Sequence, residues 1–254
     1  MGNRRTPPAG IVRFPQIAQP NIEKVLEQFL DDQARCLKPR TLARYRDVVQ
    51  LLQHYLDGYG YQPLGKEESK FFDHHFEATG SNQRSFCQLF GADKITENLG
   101  GFLGYFMIRK VVAGEELKRA AGTVSKKLAR WLEQRGLVSA AAARQAAERG
   151  ADAARDLPRA ERAAMLLAEQ VAGSDVDIPA LKDDDYVDFE QFTVSKVQPG
   201  RVWLSSWSDD EEYGPLPIPE EASQLIKEGW GISCALGRVR GRWQLVQVGN
   251  LYPL

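Results

Sequence analysis

The sequence predicts an α+β protein of two domains, an N-terminal all-α helical bundle followed by a small C-terminal β-barrel. Three observations carry this. Apolar residues recur at helical spacing through much of the stretch from Ile22 to Val171. After Asp183-Asp184-Asp185 the pattern changes to β-rich and alternating runs. Charge divides along the same line: residues 1–172 carry 26 Lys and Arg against 20 Asp and Glu, a net of +6, whereas residues 173–254 carry 7 against 14, a net of −7. A chain of 254 residues has room for one large core or two modest ones. The expected division is an extended arm over 1–20, a helical domain over 21–138, an alanine-rich helical connector over 139–172, an acidic linker over 173–185 and the barrel over 186–254.

In chain order, Pro7, Pro8, Pro15 and Pro20 leave the arm without a sustained pattern. Asn21 is suited to cap a helix from Ile22 to about Arg35, with Val25, Leu26, Phe29 and Leu30 on its inner stripe. A second helix starts near Pro39, where proline fits the first turn, and buries Leu42, Tyr45, Val49, Leu52 and Leu56. Gly58, Gly60 and Pro63 end it and open an irregular stretch to about Asp93. Within that stretch, Glu67 to Glu77 predicts a short helix that buries Phe71, Phe72 and Phe76. A core helix is expected from Ile95 to Val112, with Gly100, Gly101 and Gly104 allowing close backbone packing. The next runs from Glu115 to Arg135 with Leu117, Ala121, Val124, Leu128 and Trp131 inward, and Gly136 is its stop. The alanine-rich segment predicts one bent helix or two, interrupted at Gly150 and Pro158.

Strands are expected over Tyr186 to Val197, Arg201 to Trp207 and Tyr213 to Ile218, then a short helix from Pro219 to Gly229 and a hairpin of Trp230 to Val239 with Arg242 to Val248. The order β-β-β-α-β-β fits a small barrel, OB-like in its helix placement or SH3-like. Trp203, Trp207, Trp230 and Trp243 are expected in its core, and Asp209 to Glu212 is expected as a solvated loop. The charge of −7 disfavours a broad phosphate-binding surface, so the barrel reads as a protein-interaction domain. Nucleic-acid contact through exposed aromatics and Arg238, Arg240 and Arg242 ranks second.

Catalytic and cofactor signatures are absent from the sequence: no Walker loop, dinucleotide fingerprint, Gly-x-Ser-x-Gly elbow or His-Glu-x-x-His occurs. Asp73-His74-His75 with Glu77 has ligand-type side chains, but adjacent residues diverge. Cys36, Cys87 and Cys234 are odd in number and far apart, so buried reduced thiols are expected. The expectation is a protein without catalytic activity, cofactor or metal. No apolar run approaches the ~20 residues of a membrane span, and the N-terminus lacks a signal-peptide core, so a cytoplasmic location is expected.

Two segments carry a resemblance. Lys38-Pro39-Arg40-Thr41-Leu42-Ala43-Arg44-Tyr45 and Thr123-Val124-Ser125-Lys126-Lys127-Leu128-Ala129-Arg130-Trp131-Leu132 loosely resemble a Ser-Pro-x-Thr-x-x-x-Tyr helix start and a helix that begins Thr-Ile-x-x-x-Leu and ends Trp-Leu. Residues 22–138 thus resemble the N-terminal, SAM-like core-binding domain of tyrosine recombinases and phage integrases. Lys38 stands where that family has a capping Ser, and the stretch from Gly58 to Asp93 is longer than its ordinary connection. The recombinase catalytic half has no counterpart: His54, His74 and His75 all lie in the helical half, and none begins a His-x-x-Arg motif.

The resemblance implies that the second and fourth family helices lie against DNA, placing Arg40, Arg44, Lys126, Lys127 and Arg130 near it. Helical spacing agrees, since Arg40 and Arg44 share a face, as do Lys126 and Arg130, off the apolar stripe. The expected function is a non-catalytic DNA-binding accessory protein that holds double-stranded DNA, with a possible protein partner for residues 186–254. The alternative is a protein-interaction adaptor whose bundle is purely structural. The sequence defines no oligomeric state.

Overall fold

A computed structural model describes residues 15–207 and 211–253. Pro7, Pro8 and most of the expected arm lie outside the described residues, as do Asp209 and Asp210. Among the described residues, eight α-helices precede an open antiparallel sheet of five strands, with a ninth helix between two of the strands.

Helix α1 (Ile22–Ala34) starts where Asn21 Oδ1 accepts the Lys24 N–H at 3.1 Å. Helix α2 (Pro39–Tyr59) has proline in its first turn and no side-chain cap from Lys38, as the missing Ser implies. Phe29 joins α1 to the bundle, its ring 6.1 Å from Tyr45 and 5.6 Å from Trp131. Helix α3 (Lys66–Phe76) buries Phe72 but leaves Phe76 exposed, against expectation; the ring of Phe76 stacks on the outside of Phe72 at 5.2 Å. A single turn, α4 (Phe86–Leu89), follows.

The core helix expected from Ile95 to Val112 is not continuous. α5 (Ala92–Gly101) widens into a π-helical segment over Phe102–Phe106 and ends in α6 (Met107–Arg109), with Val112 fully exposed. Gly100, Gly101 and Gly104 supply little helix propensity there. Tyr55 packs its hydroxyl on Gly101, where a Cβ would stand 2.1 Å from the oxygen.

Helix α7 (Glu115–Gln134) ends at Gly136, which takes a φ of 65°. The segment expected as a connector is one helix, α8 (Ala140–Ala172), which runs through both Gly150 and Pro158 and packs along α7. The contact is backbone to backbone: a Cβ on Gly122 would lie 2.2 Å from Ala154 N, and one on Gly150 would lie 2.6 Å from Lys126 N. The first half of α8 closes the helical core with Ala146, Ala147, Ala153 and Leu157. Its second half closes a separate core beneath the sheet with Ala160, Ala163, Leu166 and Leu167.

Strands β1 (Tyr186–Gln198), β2 (Arg201–Ser206), β3 (Glu212–Pro217), β4 (Gly231–Val239) and β5 (Arg242–Tyr252) lie in the order β3-β2-β1-β4-β5, with α9 (Glu220–Leu225) between β3 and β4. The expected closed barrel, OB-like or SH3-like, does not form. Its would-be seam lies between the edge strands β3 and β5, whose Tyr213 and Trp243 rings meet at 5.2 Å without a hydrogen-bonded ladder. Prolines explain the open edge. Ile218 donates its N–H toward β2 at Gly200 O, 3.0 Å away, so Pro217, of opposite parity, turns toward the free edge, where proline has no N–H to give, and the register with β2 is broken around Pro215.

The tryptophans also divide. Trp230 is buried and Trp203 and Trp243 are half-buried, but Trp207 is 65% exposed, which corrects its expected core position. Cys87 and Cys234 are buried, whereas Cys36 is exposed. Among the described residues no helix is long and apolar enough to cross a membrane.

Candidate nucleic-acid interface

Helix α7 faces two ways because its sequence alternates at helical period. Ala121, Val124, Leu128 and Leu132 are buried, while Arg119, Thr123, Lys127 and Arg130 are exposed along the opposite side. Lys126 is half-buried at the border of that side, where α7 meets α8.

Ion pairing sorts the basic residues around this helix into two groups. Lys118 is buried in an ion pair with Glu161 of α8. Arg135 pairs with Asp32, whose carboxylate also accepts the Trp131 Nε1–H at 2.9 Å. The hydrogen bonds from Trp131 and Arg135 hold the Asp32 carboxyl below the usual carboxylate range. Arg44 pairs with Glu116 and so ties α2 to the first turn of α7. These cations hold the bundle together. By contrast, Arg40, Arg119, Lys126, Lys127 and Arg130 form no ion pair among the described residues.

Of the five residues singled out from the sequence, Lys126 and Arg130 line one shallow groove of about 470 Å³ between α7 and α8, together with Glu133, Arg144 and Glu148. Lys127 is exposed on the outer side of α7. Arg40 is exposed one turn before Arg44, and among the described residues neither is hydrogen-bonded or ion-paired to Lys126, Lys127 or Arg130. The groove is mixed in sign, because its two glutamates face its three cations. Sequence reasoning missed Arg119 and Arg144. The first was recoverable, since 119, 123, 127 and 130 follow helical spacing on the side opposite the apolar stripe; the second depends on how α8 crosses α7.

Among the described residues no group of three or more His, Cys, Asp or Glu side chains is arranged to hold a metal ion. His75 Nδ1 instead lies 2.9 Å from the Phe71 carbonyl oxygen. The arrangement on α7 suits electrostatic contact with a polyanion, since unpaired cations on one rigid helix neutralise phosphates without reordering the chain. A scan against protein-family models, a search of curated proteins and a search of solved structures each found no match to this chain.

Proposed function

We propose that this chain is a non-catalytic DNA-binding accessory protein that grips duplex phosphates with the exposed side of α7, and that its acidic C-terminal sheet serves as an interaction unit. One observation carries the reading: Arg119, Lys126, Lys127 and Arg130 lie on or beside one exposed face and form no ion pair among the described residues, while neighbouring cations are consumed in ion pairs. The resemblance of residues 22–138 to the recombinase core-binding domain supports the same surface, with Arg40 extending it from α2 and Arg44 contributing once released from Glu116. Phosphate contacts of this kind position a duplex with little sequence choice.

The test is fluorescence anisotropy on a labelled duplex at several salt concentrations, comparing the parent chain with Lys126→Ala/Lys127→Ala/Arg130→Ala. Affinity falls steeply with salt, and the variant lowers the slope of log K against log salt by about 2 to 3, as three lost phosphate contacts require. Absence of duplex binding at low salt, or an unchanged slope in a folded variant, overturns the reading in favour of the adaptor alternative.

A further inference from the structure

The sheet carries a second surface, separate from α7, whose chemistry has a different target. Alternation along β2 sends Val202, Leu204 and Ser206 inward, all buried, and leaves Arg201, Trp203, Ser205 and Trp207 on the outer face. Trp207 is 65% exposed, and its Nε1–H donates to Thr193 Oγ1 on β1 at 2.6 Å, which fixes the ring's orientation. Trp203 packs on the backbone of β3 at Gly214, where a Cβ would stand 2.4 Å from the Trp203 Cδ1; only glycine permits that contact. The exposed Lys196 ammonium stands 5.0 Å from the Trp203 ring centre. The Cα atoms of the two tryptophans are thus at most roughly 13 Å apart, four residues along the chain, and the Trp207 ring leans back toward Thr193, the partner of Ser205.

Cations gather at one end of this face. Arg201 and Arg242 line a common cleft of about 510 Å³ with Gly200, Pro215 and Pro217. Arg242 also lines the neighbouring cleft with Arg240, a turn residue at φ 50°. In a segment where acids outnumber bases 14 to 7, Arg201, Arg240 and Arg242 have no ion pair among the described residues, whereas Arg238 is paired with Asp185 and Lys227 with Asp156. Asp175 and Asp177 line the cleft of Arg240 and Arg242, but the cleft that Arg201 and Arg242 share has no carboxylate among its lining residues, and like charges placed together there are electrostatically unfavourable until an anion arrives.

We propose that the outer face of β2 binds single-stranded nucleic acid, with bases stacked on Trp203 and Trp207 and phosphates held by Lys196, Arg201 and Arg242. Ordered indoles beside clustered cations meet the two needs of a single strand, a π-face for each base and a positive rim for the backbone. Glu212 lies on the same face, its carboxylate accepting the Ser195 hydroxyl at 2.9 Å. A carboxylate there repels phosphate and accepts from exocyclic amines, so the bases face the sheet and cytosine suits it. The surface does not rest on the α7 reading.

The test uses the full chain and a labelled oligodeoxycytidylate of about ten nucleotides in low-salt buffer. Binding is expected, weakened at least about fivefold by Trp207→Ala and about tenfold or more by Arg201→Glu/Arg242→Glu. Trp207→Phe, which keeps a stacking ring, retains binding, and Trp207→Ala lowers affinity for this probe by the same factor in the α7 triple variant as in the parent chain. All altered residues are exposed or half-exposed, and unchanged circular dichroism melting verifies the fold. No binding of the single strand overturns the proposal, as does equal binding by Arg201→Glu/Arg242→Glu. Displacement by poly-glutamate as readily as by unlabelled oligonucleotide also overturns it, assigning the surface to an acidic peptide.

Discussion

Cys36, Cys87 and Cys234 are three copies of one side chain made chemically distinct by position. Burial pushes the Cys87 and Cys234 thiols far above the ordinary range, with Asp57 adding to the effect at Cys87 and Glu190 at Cys234, while Cys36 stands exposed just beyond α1. Thiolate is the reactive form, so a thiol reagent added to the native chain should titrate one cysteine quickly and all three only in denaturant. Fast reaction of a second cysteine in the native state would contradict the packing of Cys87 or Cys234. The same dependence on position separates Trp207 from Trp230. The alternation of Val202 and Leu204 already implied that positions 203 and 207 face away from the core, but four tryptophans in one segment invited a core reading. Parity along the strand was the better signal than hydrophobicity, because a strand has two faces and a large ring can occupy either.

At the scale of elements, helix limits were largely written in caps and stops: Asn21 opens α1, Pro39 opens α2, and Gly136 with its left-handed φ closes α7. The break of the core helix into α5, a π-helical segment and α6 was not legible, since the three glycines that weaken a helix equally permit close packing. α8 is the largest departure, because alanine-rich composition describes a helical connector and a tightly packed core helix alike. The Gly122–Gly150 crossing decides between them. Gly122→Val places side-chain atoms where Ala154 N and Gly150 O already lie, so it should cost at least ~2 kcal/mol in denaturant unfolding and separate α7 from α8. Gly58→Ala, where a Cβ meets nothing within 4 Å, is the control and should be neutral or mildly stabilising. Equal stability of the Gly122→Val and Gly58→Ala chains would show that the crossing is looser than this.

In the whole molecule, α8 belongs to both cores and makes the two halves mechanically one. Side chains reinforce the junction: Lys118 pairs with Glu161, Arg162 with Glu221 at 3.1 Å, and Arg109 lies 5.6 Å from the Tyr252 ring centre. Asp156 sits at its centre, joined to Arg155 at 2.8 Å and to Lys227 of the segment leading to β4 at 2.7 Å. Burial pushes its carboxyl up, but hydrogen bonds from Arg155 and Lys227 outweigh that and hold it below the ordinary 3.8. A lowered folded-state value means stabilisation that is complete above the unfolded value and is lost as pH falls through the folded one. The chain should therefore melt in one calorimetric transition whose midpoint drops below about pH 4, and Asp156→Asn should lower stability at neutral pH while flattening that acid dependence. Two resolved transitions in the parent chain would show that the halves fold independently.

By itself the sequence determined the succession of helices and strands, the change of period after Asp183-Asp184-Asp185, and the basic face of α7, because each is a local property of spacing along the chain. Only the tertiary structure decided that α8 spans two cores, that the sheet stays open at β3 and β5, and which cations remain unpaired. Those outcomes turn on partners far apart in sequence: Gly122 meeting Ala154 and Gly150, Pro217 of β3 on the edge facing β5, and Glu116, Asp32 and Glu161 claiming Arg44, Arg135 and Lys118 while leaving Arg119, Lys127 and Arg130 without an ion pair among the described residues. Spacing is encoded residue by residue, but neutralisation and packing belong to pairs, and the pairs exist only once the chain has folded.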